Sequence, residues 1–284
     1  MARERPKPRE EPVMNHVCWV VMDLVKHRFA SSATLLRYDG AMTTESYERA
    51  RSPRAKQDRE TSIMDSARRL AVERGVRAVT LTDIAAGVGL HKSGLLRYFE
   101  TREEIFLRLS AEGWLEWSLA VAGALDSLAG GALPAPSDDT ITDIGRTVSA
   151  SLASRPLFCD LLAHTPMNLE RGVSLDSARR FKLTALGCSA NVQRSLQRLL
   201  PLSDVQASNT VATATGLAGA LWQMSASGTA LRELYESDAA LARAIVDVEP
   251  RLTDVLTALL RGYTTATSTS EETILAPDRQ ATID

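Results

Sequence analysis

Apolar positions recur at three- and four-residue steps along much of this chain, and no segment alternates as a half-buried strand requires, so the pattern predicts an all-α protein. From Thr61 to Arg74, Ile63, Ala67, Leu70 and Ala71 share one helical face, and Gly75 follows as a C-terminal stop. Thr80 is placed to cap a second helix, with Asp83 near its positive end and Leu81, Ile84, Ala85 and Val88 as the buried stripe. Gly89 ends that helix in a sharp turn, and a third is predicted from about His91 to Phe99. Thr101 and Glu104, at capping-box spacing, open a fourth that carries Ile105, Phe106, Leu109 and Trp114.

Beyond Leu128, Gly130, Gly131, Pro134 and Pro136 mark Ala129 to Asp139 as a loop. Helices are expected near 140–152, 155–163, 175–200, 205–225 and 239–261, with Pro250 kinking or dividing the last. The 175–200 segment has the clearest period: Ala178, Phe181, Ala185, Cys188, Val192, Leu196 and Leu199 fall on one stripe, and Arg179, Arg180, Arg194 and Arg198 lie off it. Residues 264–284, rich in Thr and Ser, read as a disordered tail. At the other end, a Pro- and charge-rich opening leads into an apolar patch without helical period. Met42 is expected to be the natural start, with residues 1–41 an upstream extension.

Charge sharpens this division. The net charge of −2 hides an asymmetry, because residues 42–109 hold 13 Lys and Arg against 10 Asp and Glu (+3), whereas residues 110–284 hold 13 against 20 (−7). A polyanion, if bound, meets the N-terminal side. Arg49, Arg51, Arg54, Lys56 and Arg59 precede the first periodic helix with Asp58 as the one acid among them. Such an arm either follows a phosphate backbone or minor groove, or is a solvated leader.

No apolar run approaches the ~20 residues of a membrane span, and the N-terminal stretch makes a poor secretory signal, so a cytoplasmic location with no membrane partner is expected. Cys18, Cys159 and Cys188 are widely spaced and form no C-x-x-C pair; Cys159 and His164 lack a second pair of ligands nearby, so neither a metal nor another cofactor is expected.

Thr80 to Phe99 meets the requirements of a helix-turn-helix: Ala85 and Gly89 let two short helices cross closely, and Leu95 and Phe99 anchor the second inward. The reader helix then presents His91, Lys92, Ser93, Arg97 and Tyr98 to a major groove, and Gly94 permits close backbone approach. Lys92 or Arg97 could contact guanine or phosphate; Ser93 and Tyr98 suit phosphate.

The block from about Gln57 to Trp117 closely resembles the DNA-binding domain of the TetR/AcrR regulators. The resemblance lies in Glu73-Arg74-Gly75, then Leu81 to Ala86, then Gly89 to Phe99, then Arg102 to Ile105, in order and spacing. It implies that Thr80 and Thr82 set the second helix against phosphates, that Lys92 and Tyr98 face the groove, and that Arg102 contacts backbone phosphate. Two positions depart from the family pattern: Leu96 stands where tyrosine is usual, and His91 where a small capping residue is frequent. The second domain of that family is dimeric and encloses a small-molecule pocket. By that resemblance the helices from Val205 and Ala239 form the dimer interface, their small residues Ala212, Ala214, Gly216, Ala218, Gly219 and Ala220 allowing close approach or serving ordinary packing within the chain. Trp114, Trp117, Phe158, Leu162, Met167, Phe181, Trp222 and Met224 are the candidate pocket or core residues.

These readings divide the chain into an extension with a basic arm (1–56), a three-helix DNA-binding domain (57–117), a helical effector-binding and dimerisation domain (118–263) and the tail. The expected function is a homodimeric, sequence-specific regulator of transcription bound to double-stranded DNA. The resemblance implies a repressor released from a palindromic operator by a small-molecule effector. An enzyme is disfavoured, since no H-E-x-x-H, G-x-S-x-G or phosphate-cradling glycine loop occurs. A helical scaffold that binds protein is the remaining alternative.

Overall fold

A computed structural model describes residues 53–128 and 137–274, with side chains for 54–128 and 137–265. The expectations for residues 1–41, for Arg49 and Arg51, and for the loop core at 129–136 lie outside the described residues, as does the tail beyond residue 274.

The described residues form helices and turns and no strand. Helix α1 spans Pro53–Arg74, α2 Leu81–Ala86 and α3 Lys92–Leu95; the long α4 spans Arg102–Leu128. There follow α5 (Asp138–Ala153), α6 (Pro156–His164), α7 (Leu175–Leu199), α8 (Asp204–Ser225), α9 (Ala230–Ser237) and α10 (Val248–Ile274).

Local chemistry explains most boundaries. Thr80 Oγ1 accepts the Asp83 N–H at 3.2 Å, and Asp83 accepts the Thr80 N–H at 2.8 Å, a reciprocal capping box that opens α2. At α4 the Thr101 hydroxyl accepts from the Glu104 N–H, but the Glu104 carboxylate reaches back to the Glu100 N–H, one residue earlier than a regular box. Ser137, Ser174 and Ser203 cap α5, α7 and α8 in the same manner. Gly75 and Gly89, where stops were expected, have φ of 78° and 66°, a region that side chains disfavour.

Several elements differ from expectation: α2 ends at Ala86, before Val88, α3 spans only Lys92–Leu95 of the expected His91 to Phe99, and α9 was not expected. Helix α1 begins at Pro53 rather than near Thr61. Its first turns have no apolar stripe because they project into solvent, held by Glu60 between Lys56 (3.9 Å) and Arg108 (3.3 Å). The segment expected as one helix from Ala239 instead contains a 3-10 turn, Ala242–Ala244, and then α10 from Val248. Pro250 thereby lies in the first turn of α10, where its missing N–H would have had no intrahelical acceptor. Helix α10 also continues through Ile274, past the expected boundary of a disordered tail at Thr264.

Two cores share α4. Its N-terminal half places Ile105, Phe106 and Leu109 with Ile63, Leu70, Ile84, Leu95 and Phe99 of the first three helices. Its C-terminal half places Trp117, Val121 and Leu125 in a larger core with residues of α5, α6, α7, α8 and α10. The first core also takes in Leu161, Leu169 and Phe181, so the helix-turn-helix rests on α6 and α7 as well as on α4.

Candidate nucleic-acid interface

The crossing of α1 and α2 determines how α3 is presented. A Cβ at Gly87 would stand 2.2 Å from Ser66 Oγ, so glycine is needed there for the close approach of α1 to the turn. This residue went unremarked in the sequence, because its constraint comes from a partner 21 positions away (87 − 66). The turn closes with the Leu90 N–H donating to the Ala85 carbonyl at 2.9 Å. Leu95 and Phe99 are fully buried behind α3.

With its back fixed, α3 turns the opposite face outward. His91, Lys92, Ser93, Leu96 and Arg97 are exposed, and Gly94 and Tyr98 are half-buried. Among the described residues no acid pairs with Lys92 or Arg97, whereas Arg68, Arg69, Arg74, Arg102 and Arg108 all have carboxylate partners. His91 occupies the N-cap in extended conformation, but its ring makes no capping hydrogen bond and is left to face outward. Thr82 is exposed on α2, and Tyr98 packs against the core.

Two predicted contact residues are engaged elsewhere. Thr80 spends its hydroxyl on Asp83, accepting its N–H and donating to its carboxylate at 2.6 Å; these hydrogen bonds, ahead of the nearby Arg74 charge, hold the Asp83 carboxyl below its ordinary range. Arg102 donates to the carbonyls of Val76 and Val79, pairs with Glu103 at 3.0 Å and lies over the Phe106 ring at 4.6 Å. Its guanidinium is a clamp between the start of α4 and the turn after α1, not a free phosphate contact.

Of the predicted pocket residues, Trp114, Trp117, Phe158 and Leu162 come together in one core, with Trp222 packed at its edge. Trp114, Trp117 and Phe158 form an aromatic cluster with ring centroids 5.6 to 6.0 Å apart, and Trp117 is fully buried with no acceptor for its indole N–H. Leu162 packs against that same core. Phe181 lines a cavity of about 230 Å³ between α4 and α7, whereas Met167 and Met224 are exposed.

Trp222 also lines a cleft of about 760 Å³ bounded by the end of α1, the start of α6 and the end of α8. Within its wall Asp160 accepts the Val76 N–H at 2.7 Å and the Gln223 amide at 2.8 Å, and meets His164 Nδ1 at 3.2 Å. Burial pushes the Asp160 carboxyl up, but the bonds from His164, Val76 and Gln223 outweigh it and hold the group below its ordinary value. The same carboxylate raises His164. Cys159, next in sequence, is pushed up to about 12 by burial and is an inert core thiol.

A helix-turn-helix with an uncompensated basic face, joined through one long helix to a helical bundle, defines a DNA-binding regulator of transcription. The family model of bacterial regulatory proteins, tetR family, matches residues 63–109, and that of the tetracyclin repressor-like C-terminal domain matches residues 113–267, over half of the sequence. The chain belongs to the TetR family. Among solved structures, a TetR/AcrR-family transcriptional regulator from Thermobifida fusca is 20% identical, with 72% of this chain and 98% of that one covered and a TM-score of 0.42. A putative TetR-family regulator from Mesorhizobium loti is 13% identical over 74% and 97%, with a TM-score of 0.45. The fatty acid degradation regulator FadR of Bacillus halodurans is 14% identical over 74% and 97%, at 0.43. No curated protein matches the chain. Among the described residues no helix is long and apolar enough to cross a membrane.

Proposed function

We propose that the protein is a cytoplasmic, non-catalytic homodimer that reads a palindromic operator with α3, through residues 57–117, and is released by a small molecule bound to residues 118–263. The observation that carries the reading is that Lys92 and Arg97 are exposed with no acid partner among the described residues, at and just after a helix anchored by buried Leu95 and Phe99. Of the predicted contact set, His91, Lys92, Ser93, Gly94, Arg97 and Tyr98 are assigned to the groove and Thr82 to a phosphate. Thr80 acts by fixing α2, and Arg102 by holding α4 to the domain.

Dimerisation is assigned to the outer faces of α8 and α10. The small residues of α8 divide: Ala214, Ala218 and Gly219 face inward, Gly219 lying so close to the Ala163 backbone that a Cβ would come within 2.7 Å. Ala212, Gly216 and Ala220 are exposed, as are Ala258 and Gly262 of α10, the helix that packs against α8. Such surfaces suit close packing of a second copy's helices. A dimer sets two readers at successive major grooves, ~34 Å apart. Effector binding shifts their spacing through α4, whose two halves belong to different cores, with a typical coupling of ~1 to 3 kcal/mol.

Selection of sites from random duplex DNA at ~0.15 M salt tests this, since non-specific phosphate attraction is weak there. A palindromic consensus is expected. Failure of a folded dimer to enrich any sequence overturns the reading, and retention of function after Lys92→Ala with Arg97→Ala would favour a protein-binding scaffold.

A further inference from the structure

The 760 Å³ cleft is within the size range of small-molecule sites. One wall comes from the end of α1 and the turn after it (Val72, Arg74, Arg77), the other from α6 and the segment around the end of α8 (Leu157, Trp222, Leu231). Val72 is 69% exposed and Leu231 48%, so large apolar side chains stand uncovered at the cleft. The charges around them are unequal. Of the lining acids, Glu73 is answered by Arg69 at 3.4 Å, and Asp160 is satisfied by Val76, Gln223 and His164. Of the lining cations, Arg77 is exposed with no acid partner among the described residues, and Arg74 has only Asp83, at 3.7 Å. His164 is nine-tenths buried and turns Nδ1 to Asp160, leaving Nε2 without an acceptor among the described residues.

An apolar wall beside unanswered positive charge selects a ligand that has both features. We propose that this cleft binds an amphipathic monoanion, a small molecule whose apolar body covers Leu157, Trp222 and Leu231 and whose anionic group meets Arg77, Arg74 and His164. This rests on the regulatory reading above, names the effector class and extends its site from residues 118–263 onto the end of α1 and the turn after it. The ligand touches both the reader and the bundle, whose direct link here is the Val76 N–H to Asp160. Its affinity therefore depends on the distance between the two walls, which is the differential binding that a shift of the reader requires.

The test uses the full chain and two fluorescent probes with the same ring system, anionic 8-anilinonaphthalene-1-sulfonate and neutral N-phenyl-1-naphthylamine. The anion is expected to bind saturably, one per chain. Arg77→Glu should weaken the anion about tenfold and the neutral probe less than about twofold, because only the charge-assisted contact is lost. Leu231→Asp, at a half-exposed position that folding tolerates, should weaken both, and the remote Arg146→Glu neither. Absence of saturable binding, equal effects of Arg77→Glu on both probes, or wild-type binding by both cleft variants overturns the proposal. Site selection on the unmodified protein separates the two readings. An operator with no cleft effect removes only the cleft, and a mapped cleft with no enriched sequence removes only the regulatory role.

Discussion

Arg102 and Arg97 illustrate how the same side chain acquires opposite work from its surroundings. Arg97 meets no acid among the described residues, so its charge is available to a polyanion; Arg102 is spent on two backbone carbonyls and Glu103. Arg97→Ala is expected to cost ~1 to 3 kcal/mol of specific binding if it reads a base, or to lower the salt-dependence slope by about 1 if it meets phosphate. Arg102→Ala is expected to leave that slope unchanged and instead to lower stability by about 2 kcal/mol, since charged hydrogen bonds are lost and two carbonyls lose their donor. Operator titrations at several salt concentrations, beside urea unfolding, measure both. A reduced slope for Arg102→Ala in a fully stable protein would restore it as a phosphate contact. Thr80→Ala should cost about 1 kcal/mol of stability, as expected for a lost N-cap, read from the same unfolding curves.

At the scale of elements, α8 divides its small residues between a buried face, with Ala214, Ala218 and Gly219, and an exposed face, with Ala212, Gly216 and Ala220, which is the face proposed for the dimer. Gly216 has open space around an added Cβ, whereas Gly219 does not. Gly216→Trp is therefore expected to leave each chain folded and to dissociate the dimer, seen as a halved mass in sedimentation and weakened operator binding; an intact dimer would move the interface off α8. The sequence made legible what is decided within one or two turns. The Thr80 cap, the left-handed turn at Gly89, the stripe of α7 and the buried anchors Leu95 and Phe99 all stand where the pattern places them. What depends on distant partners was not legible. Gly87 is required by Ser66 and Arg102 is claimed by carbonyls on another segment, whereas α9 was passed over although Leu231, Leu234 and Tyr235 stand at helical spacing, because its eight residues bury none of them. The division among the pocket candidates was not legible for the same reason, because aromatic content shows that Trp117 and Trp222 are large and apolar but not that one is sealed in the core and the other, packed at its edge, also lines a cleft.

For the whole molecule, the reader and the bundle are joined by a shared helix, a shared core and several polar links, Thr101 to the Gly172 carbonyl and Ser110 to Thr165 among them, and the link from the Val76 N–H to Asp160 ends on a titrating pair. Asp160, which receives the Val76 N–H, is held against His164, with Gln223 beside it and the Arg102 charge opposing protonation of the ring. His164 is raised above its ordinary 6.5, so its contribution to stability is fully present below 6.5 and is lost as pH rises through the raised value. Asp160 is held below its ordinary 3.8, so its contribution is present above 3.8 and is lost only as pH falls through the lowered value. The ion pair thus operates between these limits and fades on the alkaline side. His164→Gln removes the charge but keeps a donor. The stability gap between wild type and this variant is expected to be widest between the Asp160 and His164 ordinary values of 3.8 and 6.5 and to narrow as pH rises above 6.5 through the raised value, with hydrogen exchange at the Val76 amide, corrected for its intrinsic pH dependence, losing protection in wild type over the same range. A gap that stays constant from acid to alkali would mean that His164 is held as a neutral ring by packing alone, and that the junction between reader and bundle is insensitive to proton concentration.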